Sequence, residues 1–325
     1  MSIFGLALFI ITNCGFFASA GSPSINLVFL TRYMIASGGA SGLEQYVFGV
    51  LASGNEIYAR TQTGISISRD GGNSWSAYTS DDGLAGEYMQ DLFVDGHAIY
   101  AGTNSGLSIS RDDAATWMNY TAAEGLCGDY ISAVYADGST IYAGTNGKGF
   151  SISKDGGITW TTHSRGNIQQ DGVLDIYAKG STVILATAGG VLVSEDGGST
   201  WNLSLEANGL GDNEVHSLFV DGSIIYAGTY RGLSISKNGG KSWTNTLPHY
   251  VNKLQPGWHD TVSSIYASGS VIFAGGNDLA ISTDGGRNWK DFPDQLGDTS
   301  ILSISVDGST MYVGTNAGIF VFRME

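Results

Sequence analysis

Residues Ser139–Trp160 read STIYAGTNGKGFSISKDGGITW, and nearly the same sequence recurs along the chain. The last eight residues, SKDGGITW, have five further copies at Ser68–Trp75, Ser110–Trp117, Ser194–Trp201, Ser236–Trp243 and Ser282–Trp289. Successive copies begin 42, 43, 41, 42 and 46 positions apart. A period of about 40 residues is typical of stacked or circular arrays of small structural units. The sequence therefore predicts a repeat protein.

Each unit contains four short segments with the β-branched and aromatic content of strands. In the third unit these segments are Tyr130–Ala136, Thr140–Thr145, Gly149–Ser153 and Thr159–His163. Four short strands separated by turns describe the blade of a β-propeller. Seven units start near residues 45, 87, 129, 172, 214, 261 and 300. We therefore predict an all-β, seven-bladed β-propeller of four-stranded antiparallel blades over residues 21–325.

The seventh unit has only three strand-like segments before the sequence stops at Glu325. A propeller left open at this point would expose an unpaired strand edge, which closed β folds avoid. Residues Ile25–Tyr33 are rich in strand-forming side chains and lie outside the repeats. We predict that this segment supplies the missing outer strand of the last blade.

Residues 1–20 contain an apolar run and end in Ala18-Ser19-Ala20, a small-x-small pattern typical of signal peptidase sites. The run is too short to span a bilayer, and the leader contains no Lys or Arg. These features predict a cleaved signal peptide and a secreted or periplasmic protein. An N-terminal membrane anchor or a misassigned start remains the alternative.

The composition disfavours several partners and cofactors. A formal net charge of −15 and a pI near 4.5 disfavour nucleic acid and anionic membranes. The same acidity keeps a glycine-rich β protein soluble, and we expect a monomer. One of the two cysteines, Cys14, lies in the leader, so Cys127 has no partner for a disulfide or a multi-cysteine zinc site. No metal and no cofactor are expected.

The recurring motif S-x-D-x-G-x-x-W is typical of a tight turn. Asp155 can accept hydrogen bonds from turn N–H groups, Gly157 can take a positive φ, and Trp160 offers a large apolar face. We expect the same structural role at the corresponding acidic or amide positions, Asp70, Asp112, Asp155, Asp196, Asn238 and Asp284, and at the tryptophans, Trp75, Trp117, Trp160, Trp201, Trp243 and Trp289. Asn238 replaces the aspartate in one copy and Asp113-Ala114 replaces both glycines in another, so we expect these two turns to be the least well formed.

This motif resembles the Asp-box of bacterial neuraminidases. The segments between the copies, such as Gly83–Ser110, also resemble regulator-type propellers of bacterial sensors and the photosystem II assembly factor family. These resemblances imply a propeller that serves as a binding or sensing platform. The sialidase family would imply three converging arginines, a Tyr/Glu nucleophile pair and an Arg-Ile-Pro element. The chain has no Arg-Ile-Pro.

A ligand site is predicted on the face that carries the loops between blades. Leu247–Asp260 is the longest of these loops, and the preceding turn contains Tyr230-Arg231. Exposed aromatic rings beside polar groups suit carbohydrate or peptide recognition. The candidate binding residues are Tyr230, Arg231, His249, Tyr250, Lys253, Trp258 and His259. The alternative, to which we give equal weight, is that Leu247–Asp260 binds no ligand and packs onto its own blade.

The sequence predicts a non-enzymatic binding or scaffolding module for a protein, peptide or carbohydrate, with no catalytic residue assigned. The alternative is a secreted glycoside hydrolase or sialidase-like enzyme that uses carboxylates on the inter-blade loop face. Arg60 replaces a glycine of the repeat, and it either lines the central channel or pairs with a nearby acid.

Overall fold

The computed structural model describes residues 25–34, 46–163, 172–246, 261–292, 296 and 299–325. Within these residues the chain forms 28 β-strands in seven four-stranded antiparallel sheets. These sheets are the blades of a β-propeller, so the predicted fold class is confirmed. We number the blades 1 to 7 by their first strands in chain order.

Each blade contains four strands, and in the order below they run from the innermost to the outermost. Blade 1 contains β2 (Gly49–Ser53), β3 (Glu56–Arg60), β4 (Ile65–Ser68) and β5 (Ser76–Tyr78); blade 2 contains β6 (Met89–Asp95), β7 (Ala98–Thr103), β8 (Gly106–Ser110) and β9 (Met118–Tyr120); blade 3 contains β10 (Ile131–Asp137), β11 (Thr140–Thr145), β12 (Phe150–Ser153) and β13 (Thr161–His163). Blade 4 contains β14 (Val173–Lys179), β15 (Thr182–Thr187), β16 (Gly190–Ser194) and β17 (Asn202–Ser204); blade 5 contains β18 (Val215–Asp221), β19 (Ile224–Thr229), β20 (Gly232–Ser236) and β21 (Thr244–Asn245); blade 6 contains β22 (Ser264–Ser268), β23 (Val271–Gly275), β24 (Leu279–Ser282) and β25 (Lys290–Asp291). Blade 7 contains β26 (Ile301–Asp307), β27 (Thr310–Thr315), β28 (Gly318–Met324) and β1 (Leu27–Tyr33).

The third strand of each blade is buried along most or all of its length. Every residue of β8 and of β16 is buried, because a blade packs against a neighbour on each of its two faces. Three short 3₁₀ helices follow the outer strands of blades 1, 2 and 4, at Ser80–Asp82, Ala122–Glu124 and Glu206–Asn208. The apolar cores lie between adjacent blades, so no blade has a core of its own.

The N-terminal strand closes the ring. β1 pairs antiparallel with β28, in a register that runs from Leu27 opposite Met324 to Tyr33 opposite Ile319. Two backbone hydrogen bonds of 2.9 Å between Asn26 and Glu325 extend this pairing. The predicted closure of the last blade by residues 25–33 is confirmed.

The eight-residue motif forms a tight turn after the third strand, which we call the repeat turn. In blade 3, Asp155 Oδ1 accepts from the Thr159 amide (2.8 Å) and Oδ2 accepts from the Thr159 hydroxyl (2.6 Å). The Ser153 hydroxyl donates to Asp155 and accepts from the Gly157 amide at 2.7 Å. These hydrogen bonds favour the ionised carboxylate and lower the pKa of Asp155 to about 2. Both carboxylate oxygens of Asp155 are thus engaged within the turn.

Each repeat turn also packs against the preceding blade. The Trp160 ring meets Tyr120 of blade 2 edge-on, with 5.9 Å between centroids, and Trp201 meets Phe150 of blade 3 at 5.8 Å. At the closure, Trp75 of blade 1 meets Tyr33 of β1 at 5.9 Å. Tyr33 thus takes the place in blade 7 that Tyr120 takes in blade 2.

The two altered repeat turns keep the hydrogen bonds of the others. Asn238 Oδ1 accepts from the Ser242 amide at 3.0 Å, and its Nδ2 donates to the Ser242 hydroxyl at 2.8 Å. The expectation that this turn is poorly formed is wrong, because an amide can replace both contacts of the carboxylate. In blade 2 the hydrogen bonds are also present, but Asp113 and Ala114 have φ values of 60° and 70°, which are strained for residues with a Cβ.

Tyr33→Ala tests the closure. Loss of the ring removes its contact with Trp75 and its hydrogen bond to the Gly71 carbonyl (2.7 Å), so we expect a loss of about 2–3 kcal/mol of unfolding free energy in chemical denaturation. Leu30→Ala on the same strand is the control, since Leu30 is 46% exposed, and should change the stability by less than about 0.5 kcal/mol. Equal effects of the two substitutions would contradict this account.

Gly72→Ala tests the packing of a repeat turn on the preceding blade. Gly71 and Gly72 both have positive φ (71° and 91°), so a methyl group at either position costs about 1–2 kcal/mol. A Cβ at Gly72 would also overlap the Tyr33 ring at 2.2 Å, whereas a Cβ at Gly71 meets nothing within 4 Å. We expect Gly72→Ala to lower the denaturation midpoint clearly more than Gly71→Ala, and a reversed order would rule out this packing.

Candidate functional site

A cavity of about 730 Å³ lies on the axis of the ring, surrounded by the first strands of blades 1 to 6. Its mouth is formed by the turns between first and second strands, including Ser53, Gly96 and Gly222. These turns share a face with the repeat turns, because the Gly71 amide donates to Asn55 O at 2.9 Å and the Gly156 amide to Ser139 O at 2.9 Å. The cavity therefore opens on the face opposite to the one that the sequence singled out.

Besides Tyr58 on the second strand of blade 1, five aromatic side chains line this cavity from first strands, one from each of blades 2 to 6. They are Phe93, Tyr135, Tyr177, Phe219 and Tyr266. All five are half-buried, and neighbouring rings lie close together: the centroid distances are 4.5 Å for Phe93–Tyr135, 5.8 Å for Tyr135–Tyr177 and 5.4 Å for Phe219–Tyr266. The result is an aromatic wall, which we call the aromatic arc.

Two carboxylates lie two residues before arc positions, deeper along the same strands. Asp91 Oδ2 accepts from the Val134 amide at 2.8 Å, and Asp175 Oδ2 accepts from the Leu218 amide at 2.7 Å. Each carboxylate thus binds an N–H group on the inner edge of the next blade. These amides have no strand partner on the channel side, so the side chains satisfy groups that are otherwise unpaired.

The two carboxylates are difficult to ionise together. Burial raises the pKa of Asp175 to about 7, and the negative charge of Asp91 contributes to the shift. Burial also raises the pKa of Asp91, whereas the charge of Arg60 lowers it. Perturbed pKa values in a cavity are a signature of functional sites, although structural carboxylates also show them.

The mouth of the cavity carries charges of both signs. Glu56 and Asp221 line it together with Lys179 and His97. His97 Nδ1 lies 2.9 Å from the Asp113 carboxylate, and this hydrogen bond, with the negative charge of Asp113, raises the pKa of His97.

Arg60 is the last residue of β3, the second strand of blade 1. Its Nη2 donates to the Phe48 carbonyl at 3.0 Å, and its guanidinium carbon lies 5.6 Å from the Phe48 ring centroid. Among the described residues Arg60 has no direct ion-pair partner, although Asp91 is near enough to raise its pKa against the effect of burial. The sequence suggested that Arg60 either lines the central channel or pairs with a nearby acid. Neither of these two interpretations is complete.

The predicted ligand site is only partly within the described residues. Tyr230 packs near His216, with 6.4 Å between ring centroids, and Arg231 Nε lies 3.2 Å from Asp212 Oδ2. Both residues lie on the inter-blade loop face, as predicted. The remaining candidates, His249, Tyr250, Lys253, Trp258 and His259, lie outside the described residues, and the loop site stays a prediction.

The aromatic arc was not predicted from the sequence, although the sequence contains a signal for it. An aromatic residue stands two positions before the end of the first strand in five of the seven blades, as in LFVDG (Leu92–Gly96) and VYADG (Val134–Gly138). Within a single repeat, nothing distinguishes such a residue from any other aromatic residue of a strand. Three exposed tyrosines that precede first strands were also missed: Tyr46, Tyr88 and Tyr130.

The described residues contain no helix long and apolar enough to span a membrane. In the same part of the chain, no three His, Cys, Asp or Glu side chains are grouped as ligands for a metal ion.

Comparisons with solved structures show the fold. The structure titled "YCF48 bound to D1 peptide" matches with a TM-score of 0.65 at 14% sequence identity, over 92% of this chain and 96% of that chain. A GH74 xyloglucanase from Xanthomonas campestris matches with a TM-score of 0.67 at 15% identity, over 92% of this chain but 53% of that chain. The extracellular domain of the putative hybrid two-component system BT3049 from B. thetaiotaomicron matches with a TM-score of 0.68 at 15% identity, over 86% of this chain and 40% of that chain. No protein-family model and no curated protein sequence matches the chain.

Asp175→Asn tests the state of the channel carboxylates. The folded pKa of about 7 lies above the usual value of about 3.9, so the folded state holds this proton more tightly and the contribution to stability falls as pH rises from about 4 to 7. Asn cannot ionise, so we expect a flatter pH dependence of the unfolding free energy, with the largest gain over wild type near pH 8. Asp196→Asn is the control: its pKa is about 2, so it should shift stability equally at all values between pH 5 and 8. An unchanged slope in Asp175→Asn would contradict the assignment.

Proposed function

We propose that this chain is an exported, monomeric propeller that acts as a binding module for a peptide or protein, and that the ligand enters the central channel at the repeat-turn face. The observation that carries the proposal is the cavity lined by the aromatic arc. Its volume of about 730 Å³ falls in the usual range for ligand pockets. Such pockets combine apolar walls with a few polar groups, and here the polar groups are Asp91, Asp175 and the charges at the mouth.

Propellers of similar fold support a binding role by analogy. One of the matching structures is titled as a complex with a peptide, and another is an extracellular domain of a putative sensor. The resemblance of the repeat turn to the Asp-box is consistent with this proposal, because a turn that packs one blade against the preceding blade needs no catalytic activity. The apolar leader with its small-x-small end supports export to the periplasm or the exterior.

Glycoside hydrolysis, with a carbohydrate as the ligand, is the second candidate function. The observation that favours hydrolysis is a pair of carboxylates in one cavity, one of which has a pKa near 7, as a general acid requires. Against it, Asp175 accepts amide hydrogen bonds at both oxygens, from Ile176 (2.7 Å) and Leu218 (2.7 Å). A carboxylate held in this way is poorly placed to transfer a proton.

Selection of a displayed random-peptide library against the purified protein tests the proposed function. Selected peptides should bind the Tyr177→Ala variant at least tenfold more weakly, because the ring that lines the channel is gone. The control is Tyr130→Ala, since Tyr130 is exposed on the other face and its loss should leave binding unchanged.

Two outcomes would redirect the proposal. Loss of binding in Tyr230→Ala but not in Tyr177→Ala would place the site on the inter-blade loops. Turnover of generic glycosides by the wild type, abolished in Asp175→Asn, would favour the hydrolase.

A further inference from the structure

The rings of the aromatic arc line the channel. Phe93, Tyr135 and Tyr177 form one continuous run, and Phe219 packs on Tyr266. The face of an aromatic ring carries partial negative charge and attracts a cation within about 6 Å of its centroid. An apolar ligand would also pack against these rings, so the arc alone does not define the charge of a ligand.

The carboxylates below the arc indicate which charge the ligand has. In blade 6 the position equivalent to Asp91 and Asp175 is Ser264, and its hydroxyl accepts from the Ile304 amide at 2.9 Å. A neutral serine therefore binds the inner edge of the next blade as well as an aspartate does. The negative charge at Asp91 and Asp175 is not needed for this hydrogen bond, and its burial is unfavourable.

Carboxylates lie around the aromatic arc as well as below it. Burial raises the pKa of Tyr135, and the charges of Tyr177, Asp137 and Asp175 raise it further. At the mouth, burial and the charge of Asp137 raise the pKa of Asp95. Together with the net charge of −15, these carboxylates raise the local concentration of cations. Three basic groups oppose these carboxylates: Arg60, whose charge lowers the pKa of Asp91, and Lys179 and His97 at the mouth, where the side chain of Lys179 is exposed.

We infer that the channel binds an organic cation, an ammonium or guanidinium group on an apolar stem, with the charged group between the aromatic arc and the carboxylates of Asp91 and Asp175. This inference rests on the proposed function, because it assumes that the ligand enters the channel. The cation is either the side chain of a basic residue in a peptide or a small free amine, since both have the same recognised group.

Calorimetric titration of the full chain with matched probes tests the inference. Choline is compared with 3,3-dimethylbutan-1-ol, which has the same shape without the charge, and the peptide Gly-Gly-Lys-Gly-Gly with its norleucine analogue. We expect each cation to bind at least tenfold more tightly than its neutral partner. Binding of choline alone would identify a small amine as the ligand, and binding of the lysine peptide alone would identify a basic side chain.

Three variants locate the binding. Tyr135→Leu keeps an apolar side chain but removes the π face, and should weaken cation binding by at least fivefold. Asp175→Ser reproduces Ser264 and keeps a hydroxyl for the Leu218 amide, and should weaken cation binding while the denaturation midpoint is maintained. Lys179→Gln removes the positive charge of Lys179 from the mouth of the channel and should strengthen cation binding about twofold or more. A purely structural role for these residues would not give effects of opposite sign.

Equal binding of charged and neutral probes would overturn the inference, as would failure of both choline and the lysine peptide to bind. A weaker or unchanged affinity in Lys179→Gln would also overturn it, and this exposed substitution does not threaten folding. These failures are distinct from failure of the proposed function, because peptides selected from the displayed library would still depend on Tyr177 if the channel binds an uncharged ligand.

Discussion

The propeller depends on the packing of each repeat turn against the third and outer strands of the preceding blade. The second glycine of the turn lies so close to the outer strand that a Cβ at Gly157 would come within 3.0 Å of the Tyr120 ring. The tryptophan of the same turn then covers the same ring, as Trp160 covers Tyr120. A blade has no core of its own, so its apolar area is buried only when this contact forms. Closure of the ring requires the same contact between the last blade and the first, and Tyr33 provides it.

This dependence limits where the function can lie. The carboxylates of the repeat turns are held by hydrogen bonds within the turn, and the pKa values of Asp70, Asp155 and Asp196 are lowered to about 2. Groups held in this way are poor proton donors at neutral pH and have few free lone pairs for a ligand. The surfaces left for recognition are therefore the channel and the inter-blade loops.

The fold was predictable from the sequence because its determinants are local and repeated. The repeat turn needs a serine, an aspartate, glycine and tryptophan within eight positions, and Ser153–Trp160 has all of them. The role of Ile25–Tyr33 followed from a count of strands in the last unit and the need to pair its edge. The channel was not predictable in the same way, because it takes one side chain from each blade, about 42 residues apart. Tyr135 looks like any half-buried strand residue, and its proximity to Phe93 and Tyr177 follows only from the radius of the closed ring. Asp91 and Asp175 stand where other repeats have small residues, and a comparison of the repeats could have identified them as exceptions.

The ring also holds the aromatic arc in position before any ligand arrives. Residues of the second strands pack behind the arc, with 6.1 Å between the centroids of Phe93 and Tyr100 and 6.2 Å between those of Tyr266 and Phe273. Side chains confined in this way lose little rotamer freedom on binding, and an immobilised flexible side chain would otherwise cost about 0.5–1.5 kcal/mol. The closure by β1 fixes the channel at the same time, because the first strands of blades 1 and 7 lie next to each other only in the closed ring. The repeat turns on the periphery thus determine the geometry of the channel on the axis. The repeat turns and the channel depend on different residues.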